Sequence, residues 1–156
     1  MSKGDFRFHF PLRVRWSECD RQGIAFNGSY LTYLEVAQAE YYRNLGFSIY
    51  QVAERGYFDT ATVKVLLEYK APARVEELLD IYTRVSRIGA TSITMEVEIY
   101  REASDVLLTT IQAVYAGYDS KIGATKPVPP DLRQVVEHFE ATGEALPIAR
   151  FPNLGG

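Results

Sequence analysis

The chain has 156 residues, of which 47% are hydrophobic and 13% aromatic, and its formal net charge is -3. This size and apolar content predict one globular domain over residues 1–156 and exclude a disordered chain. The charge balance gives no overall footprint for nucleic acid or an anionic membrane, and the single cysteine excludes an internal disulfide. The sequence shows neither an apolar leader segment nor a run of 18 apolar residues, so we expect a cytoplasmic protein with no nucleic-acid or membrane partner.

The first predicted element is a strand from Phe6 to Trp16. Aromatic and aliphatic residues alternate there with arginine and histidine, which is typical of a half-buried strand. Pro11 interrupts this run and cannot donate a backbone hydrogen bond within a sheet. We therefore expect the strand to lie at a sheet edge or to carry a bulge.

The segment that follows, ECDRQGIAFNGSY (residues 18–30), is polar and contains two glycines. Asp20 is a candidate catalytic carboxylate, although an Asp beside Gly23 can also simply accept backbone N–H bonds within a turn. Cys19 is a candidate nucleophile, but adjacent extended residues point to opposite faces, so Cys19 and Asp20 are not expected to share a site. Glu18 and Asp20 have the spacing of a same-face carboxylate pair, but the aromatic cleft that glycoside hydrolysis needs is not evident.

A long helix is predicted to begin near Asn27 or Ser29 and to end at Gly46. Its apolar residues recur at helical spacing and form one tyrosine-rich stripe. The first N–H groups of a helix are unpaired and lie at the positive end of its dipole. The start of this helix could therefore polarise a carbonyl oxygen close to Asp20.

Four more strands are predicted, at residues 62–70, 78–88, 91–101 and 106–118, followed by a helix over PPDLRQVVEHFEA (residues 129–141). Short connections between the strands favour hairpins and hence antiparallel pairing. The order of one strand, one long helix and four strands predicts an α+β fold, with an antiparallel sheet of about five strands wrapped around one long central helix. Residues after about 143 are expected to form a loose tail.

Two predicted loops place cations beside small residues. Arg87 is close to Gly89 and Ser92, and Lys126 precedes Pro127. Such positions can hold phosphate groups, although each cation can equally be an ordinary solvated charge.

The stretch VRWSECDRQGIAFNGSYLTYLEVAQAEYYRNLGF (residues 14–47) resembles the signature of the 4-hydroxybenzoyl-CoA thioesterase-like family of hotdog-fold acyl-CoA thioesterases. In that signature a strand leads to Asp, two residues, Gly, a short apolar turn and the central helix. YKAPARVEELLDIYTRVSRIGATSITMEVEIYR (residues 69–101) and KPVPPDLR (residues 126–133) are similar to that family's later segments. The resemblance covers residues 6 to about 140 and implies the hotdog fold.

The resemblance also implies an activity, namely hydrolysis of an acyl-CoA thioester to free CoA and a carboxylic acid. Asp20 would be the catalytic carboxylate, as nucleophile or general base, and the backbone N–H near Asn27 would polarise the thioester carbonyl. Asn27 stands where some members carry an aromatic residue, which leaves that backbone role intact. Implied substrate contacts, with the two cations holding nucleotide phosphates, are Gly23, Ile24, Tyr30, Arg87, Gly89, Ser92 and Lys126.

In such a family the site is built between the subunits of a homodimer, and a homotetramer is a further possibility. No metal or redox cofactor is implied, since coenzyme A enters only as part of the substrate. Two other classes stay open. Hotdog dehydratases and hydratases act on acyl thioesters but place a histidine near the acidic residue, and neither His9 nor His138 lies in such a motif. The other class is a non-catalytic acyl-CoA binding module.

Overall fold

The computed structural model describes residues 3–155. Its strands are β1 (Phe8–Arg13), β2 (Thr60–Tyr69), β3 (Leu78–Ile88), β4 (Ser92–Arg101), β5 (Leu107–Asp119) and β6 (Ala124–Thr125). Its helices are α1 (Ser29–Asn44), α2 (Ile49–Glu54), α3 (Pro130–Thr142) and α4 (Pro152–Gly155), with short 3-10 turns at Lys3–Asp5, Trp16–Glu18 and Ile148–Arg150. Within the described residues, no helix is long and apolar enough to cross a membrane.

The strands form one antiparallel sheet in the order β1-β3-β4-β5-β2, and the short β6 pairs with β5. Strands β1 and β2 are therefore the two edges. Pro11 lies in β1, which confirms the edge position predicted from a residue that cannot donate within a sheet.

Helix α1 packs against one face of the curled sheet and forms the centre of the core. Alternate residues of the central strands face it, because side chains along a strand point to opposite sides. Core residues that are at most 1% exposed include Tyr33, Ala37, Tyr41, Ile81, Met95 and Ile111. Full burial of such a large apolar side chain stabilises the fold by about 1.5–3 kcal/mol. The predicted α+β hotdog arrangement is confirmed.

The first strand is shorter than its alternation predicted. It ends at Arg13, and Trp16, expected on the buried side, begins a 3-10 turn with its side chain 84% exposed. The Glu18 carboxylate accepts the backbone N–H of Arg15 at 2.8 Å and so closes this turn. A local side-chain to backbone bond thus overrides the strand pattern here.

The C-terminal segment does not form the loose tail that the sequence predicted. Phe151 and Leu154 are buried, and the Arg55 guanidinium donates to the Leu154 carbonyl at 2.8 Å. Ile148 packs onto Gly46, where an added Cβ would lie 3.0 Å from the Ile148 Cβ. The apolar residues of this segment find partners on α2 and at the end of α1, contacts that are remote in sequence and give no local periodicity.

Candidate active site

The segment between β1 and α1 is held by backbone hydrogen bonds to the residues that precede β3. The Ala25 N–H donates to the Ala73 carbonyl at 2.7 Å, and the Val75 N–H donates to the Gly23 carbonyl at 2.9 Å. Gly23 has φ +74, the left-handed region that favours glycine, and its N–H closes a turn on the Asp20 carbonyl at 3.0 Å. Asp20 therefore lies on a short turn whose base is hydrogen-bonded to the segment that precedes β3.

The Asp20 carboxylate is exposed, and its Oδ1 accepts the Gln22 N–H at 2.8 Å. Asp20 thus accepts a backbone N–H within its turn, which is the structural role considered for it as an alternative to catalysis. It uses one carboxylate oxygen, and within residues 3–155 no ion pair involves the other. An ionised carboxylate has about four acceptor positions, so Asp20 keeps acceptor capacity towards solvent.

Helix α1 begins at Ser29, and its N-cap, Gly28, provides no side-chain cap. The Phe26 carbonyl accepts the Ser29 N–H at 2.9 Å and therefore points towards the first turn. In a trans peptide the N–H lies opposite the carbonyl, so the Asn27 N–H points away from the helix. Among the hydrogen bonds of the described chain, none uses the N–H of Asn27 or of Gly28. Both remain available to an external acceptor at the positive end of the helix.

A cavity of about 240 Å³ lies between the start of α1 and the end of β2. Its walls include Ile24, Asn27 and Tyr30, together with Tyr69 and Lys70. The Tyr69 hydroxyl donates to the Asn27 carbonyl at 3.2 Å, and the Tyr69 ring packs edge-on against Tyr30 with centroids 5.3 Å apart. Burial raises the pKa of Tyr30, which keeps that hydroxyl neutral. Three predicted site residues thus meet here, with Gly23 and Asp20 in the adjoining turn.

The other four predicted contacts lie at the opposite end of the sheet. Arg87 is near the end of β3, whereas the Asp20 turn pairs through Ile24 with Arg74, just before β3 begins. A strand of this length spans about 35 Å. Arg87, Gly89, Ser92 and Lys126 are therefore too far from Asp20 to contact the same thioester within one protomer.

These four residues lie in three local environments. The Lys126 ammonium donates to the Tyr57 carbonyl at 2.6 Å, and the Gly89 N–H donates to the Ser92 carbonyl at 2.8 Å. Arg87 is exposed and lines a cavity of about 390 Å³ together with Glu137 and Glu140.

Sequence reasoning assigned no role to Glu18, which the structure places at the centre of this region. The residue is only 8% exposed, and its carboxylate accepts the Tyr33 hydroxyl at 2.9 Å and the Arg15 Nε at 2.6 Å. Burial acts to raise the pKa of Glu18, but the hydrogen bonds from Arg15 and Tyr33 outweigh it and lower that pKa. Only its spacing of two residues from Asp20 hinted at a shared location.

Another cavity, of about 510 Å³, lies between α1, α2 and the free edge of the sheet at β2. Leu31, Leu34 and Val65 supply apolar wall, and the Tyr50 hydroxyl donates to the Glu35 carboxylate at 3.3 Å. Leu31 lies about one helical turn from Asn27, so this cavity adjoins the helix start. Across residues 3–155 no group of three or more metal-ligating side chains is found.

The fold and the arrangement at the start of α1 define a hotdog-fold protein of the thioesterase type. Residues 22–107 match the thioesterase superfamily, and the chain belongs to that family of enzymes that hydrolyse thioesters. The match begins two residues after Asp20 and includes Asn27 and Arg87.

Curated relatives carry the same kind of name. The chain is 25% identical over 138 residues to the acyl-CoA thioesterase YbgC of Haemophilus influenzae, covering 87% of this chain and 98% of that protein. It is 32% identical over 101 residues to the acyl-CoA thioester hydrolase YbgC of Escherichia coli, covering 64% of this chain and 74% of that one.

Solved structures agree on the fold. A probable thioesterase from Bartonella henselae superposes with a TM-score of 0.71 at 24% identity, covering 78% of this chain and 98% of that one. A 1,4-dihydroxy-2-naphthoyl-CoA thioesterase from Synechocystis superposes with a TM-score of 0.75 at 18% identity, covering 81% and 93%.

Proposed function

We propose that this protein is an acyl-CoA thioesterase that releases free CoA and a carboxylic acid. One observation carries the proposal. The loop between β1 and α1 presents both an exposed carboxylate, that of Asp20, and an unpaired backbone N–H, that of Asn27. The names of the Haemophilus influenzae and Escherichia coli relatives support acyl-CoA as the substrate class.

The reaction needs a hydrogen-bond donor that polarises the thioester carbonyl and a carboxylate that attacks the carbonyl carbon or activates water. The thioester oxygen accepts the Asn27 N–H at the positive end of α1, where negative charge that develops on that oxygen is stabilised. Asp20 supplies the carboxylate. It either attacks the carbonyl carbon, expelling CoA thiolate and leaving a mixed anhydride that water hydrolyses, or removes a proton from the attacking water.

The substrate in this proposal bridges two copies of the chain. Strand β2 is a sheet edge on which Val63 is 60% and Leu66 50% exposed, and an open apolar edge favours pairing. Antiparallel pairing of β2 with β2 of a second copy places the start of one strand beside the end of the other. Thr60 pairs with Gly117, which accepts the Lys126 N–H, while Tyr69 lies beside Asn27. The distant cations of one copy would thereby approach the Asp20 turn of the other.

Incubation with a panel of acyl-CoAs and a thiol-reactive dye tests the activity, because a thioesterase releases free CoA. A hydratase would alter the acyl group without releasing a thiol, and a binding module would retain acyl-CoA unchanged. The hydratase alternative lacks its histidine at this site, since His9 stacks on Tyr82 of β3 at 4.6 Å and His138 lies in α3.

Mixed dimers test the shared site. Asp20→Asn chains, which should be nearly inactive alone, are refolded with equal amounts of Arg87→Ala/Lys126→Ala chains, which should be weak when acyl-CoA is kept below the wild-type KM. If each site takes Asp20 from one copy and the cations from the other, random mixing restores about a quarter of the wild-type sites. Absence of any recovery in verified mixed dimers would show that the site is not shared in this way.

A further inference from the structure

The main-chain carbonyl of Glu18 joins the Asp20 turn to the start of α1. It accepts the Phe26 N–H at 2.8 Å and the Ser29 Oγ hydroxyl at 2.7 Å. These two donors flank Asn27, and the Phe26 carbonyl belongs to the same planar peptide as the Asn27 N–H. A displacement of Glu18 would therefore move that N–H relative to Asp20, which is only two residues further along the chain.

The side chain of Glu18 is itself hydrogen-bonded through both carboxylate oxygens. Its Oε1 accepts the Arg15 N–H at 2.8 Å and the Tyr33 hydroxyl at 2.9 Å, and its Oε2 accepts the Arg15 Nε at 2.6 Å within an ion pair. Tyr33 lies one turn beyond Ser29 on the same face of α1. A buried carboxylate is costly unless it is hydrogen-bonded, so these contacts restrict Glu18 to one arrangement.

We infer that Glu18 is a positioning residue, which fixes the separation between the Asp20 carboxylate and the Asn27 N–H that this reaction requires. The inference rests on the proposed function, because it assigns those two groups their roles. Glu18 itself is buried and bonded within the protein, so it acts through its neighbours and does not contact the substrate.

Two substitutions test the inference. Glu18→Ala removes every side-chain contact, and we expect kcat to fall about tenfold to a hundredfold, since a misplacement of about 1 Å can cost that much. Glu18→Gln keeps one acceptor oxygen for Tyr33 but turns an NH₂ group towards Arg15, so its loss should be smaller. KM for acyl-CoA should change less than about twofold in both, because no substrate contact is removed.

Glu140→Ala is the matched control. Glu140 also accepts a tyrosine hydroxyl from α1, that of Tyr41, but at the other end of the helix from Asp20. The Glu140→Ala variant should be less stable than the wild type but keep the wild-type kcat when assayed well below its melting temperature. If Glu18→Ala does not fold, Glu18→Gln and Tyr33→Phe carry the same comparison.

The outcomes distinguish failure of the proposed function from failure of the positioning role of Glu18. Wild-type protein that releases no free CoA overturns the proposed function. If wild type is active and Asp20→Asn is not, while the Glu18 variants keep a wild-type kcat, only the positioning role is overturned. A kcat loss in Glu140→Ala equal to that in Glu18→Ala would also overturn it, because general destabilisation would then explain both.

Discussion

At the scale of single residues, the loop between β1 and α1 presents two groups with different roles, the Asp20 carboxylate and the Asn27 N–H. The Asp20 turn gives one carboxylate oxygen to the Gln22 N–H and leaves capacity on the other, while the Asn27 N–H has no acceptor within residues 3–155. An unpaired donor and an exposed carboxylate on one loop are poorly explained by stability, because neither satisfies the other. They suit a reaction in which one group polarises a carbonyl and the other supplies or activates the nucleophile.

Cys19→Ala should retain most of the wild-type activity. Burial raises the pKa of the Cys19 thiol, and the neighbouring Glu18 and Asp20 charges raise it further. The thiolate that a cysteine nucleophile needs is therefore scarce at neutral pH. Steady-state release of CoA by this variant checks the expectation, and loss of turnover in a folded Cys19→Ala protein would indicate thiol chemistry instead.

Arg87→Ala and Lys126→Ala should each raise KM for acyl-CoA and spare kcat, since a phosphate contact contributes binding but no chemistry. Added salt should weaken binding to the wild type in the same direction. Acyl-pantetheine, which lacks the nucleotide, serves as the control substrate, because the substitutions should leave its KM unchanged. An unaltered KM for acyl-CoA in both variants would refute the assignment.

At the scale of elements, one partly buried carboxylate on α3 contacts both the sheet and the central helix. The Glu140 side chain accepts the hydroxyl of Tyr41 on α1 and the N–H of Val85 on β3, the latter at 3.0 Å. Phe139 beside it packs edge-on against Tyr41 with centroids 5.7 Å apart. One side chain thus joins a helix outside the central pattern to both the central helix and the sheet.

Glu140→Ala should lower the free energy of unfolding by about 1–3 kcal/mol for each buried donor left without an acceptor. Urea unfolding of the variant and the wild type measures the difference. A variant as stable as the wild type would show that water replaces the carboxylate at both donors.

The same residue predicts a pH dependence. Burial is the largest cause that raises the pKa of the Glu140 carboxyl in the folded state above its ordinary value of 4.5. The folded protein therefore holds this proton more tightly, so the stability from this group is present below pH 4.5 and is lost as pH rises through its folded pKa. When the free energy of unfolding is measured across that pH range, Glu140→Gln should lack the pH-dependent contribution that Glu140 makes in the wild type. An identical pH profile in wild type and Glu140→Gln would contradict the prediction.

Period-two alternation was a reliable guide to the strands that cross the core. The predicted strand 78–88 matches β3 residue for residue, and β5 is shifted by one residue at each end. The alternation misled at Trp16, where the Glu18 carboxylate ends the strand by closing a turn. The pattern reports which face is buried, but it does not contain side-chain to backbone bonds that stop an element.

At the scale of the whole molecule, the predicted contacts divide between two ends of one sheet. The loop with Asp20 and Asn27 lies at one end, and Arg87 and Lys126 lie at the other. The resemblance suggested each residue separately, and only the register of the strands shows that one protomer cannot unite them. The contacts of Glu18 were likewise not predictable, since Tyr33 is 15 residues away and its partner is set by packing.

The protein should be at least a dimer at micromolar concentration by light scattering. The double variant Val63→Glu/Leu66→Glu should be monomeric and have little activity, because like charges would face each other across the paired β2 edges. His9→Glu, on the opposite edge strand β1, is the matched control and should leave the dimer intact. A fully active wild-type monomer would contradict both the pairing and the shared site.

The measurement that tests the central claim most directly is steady-state release of free CoA by wild type and by Asp20→Asn. The amide is nearly isosteric with the carboxylate but can neither attack the thioester nor activate water. We therefore predict that kcat falls roughly 10²- to 10⁴-fold while KM stays close to that of the wild type. An Asp20→Asn protein that turns over acyl-CoA at the wild-type rate would contradict the account.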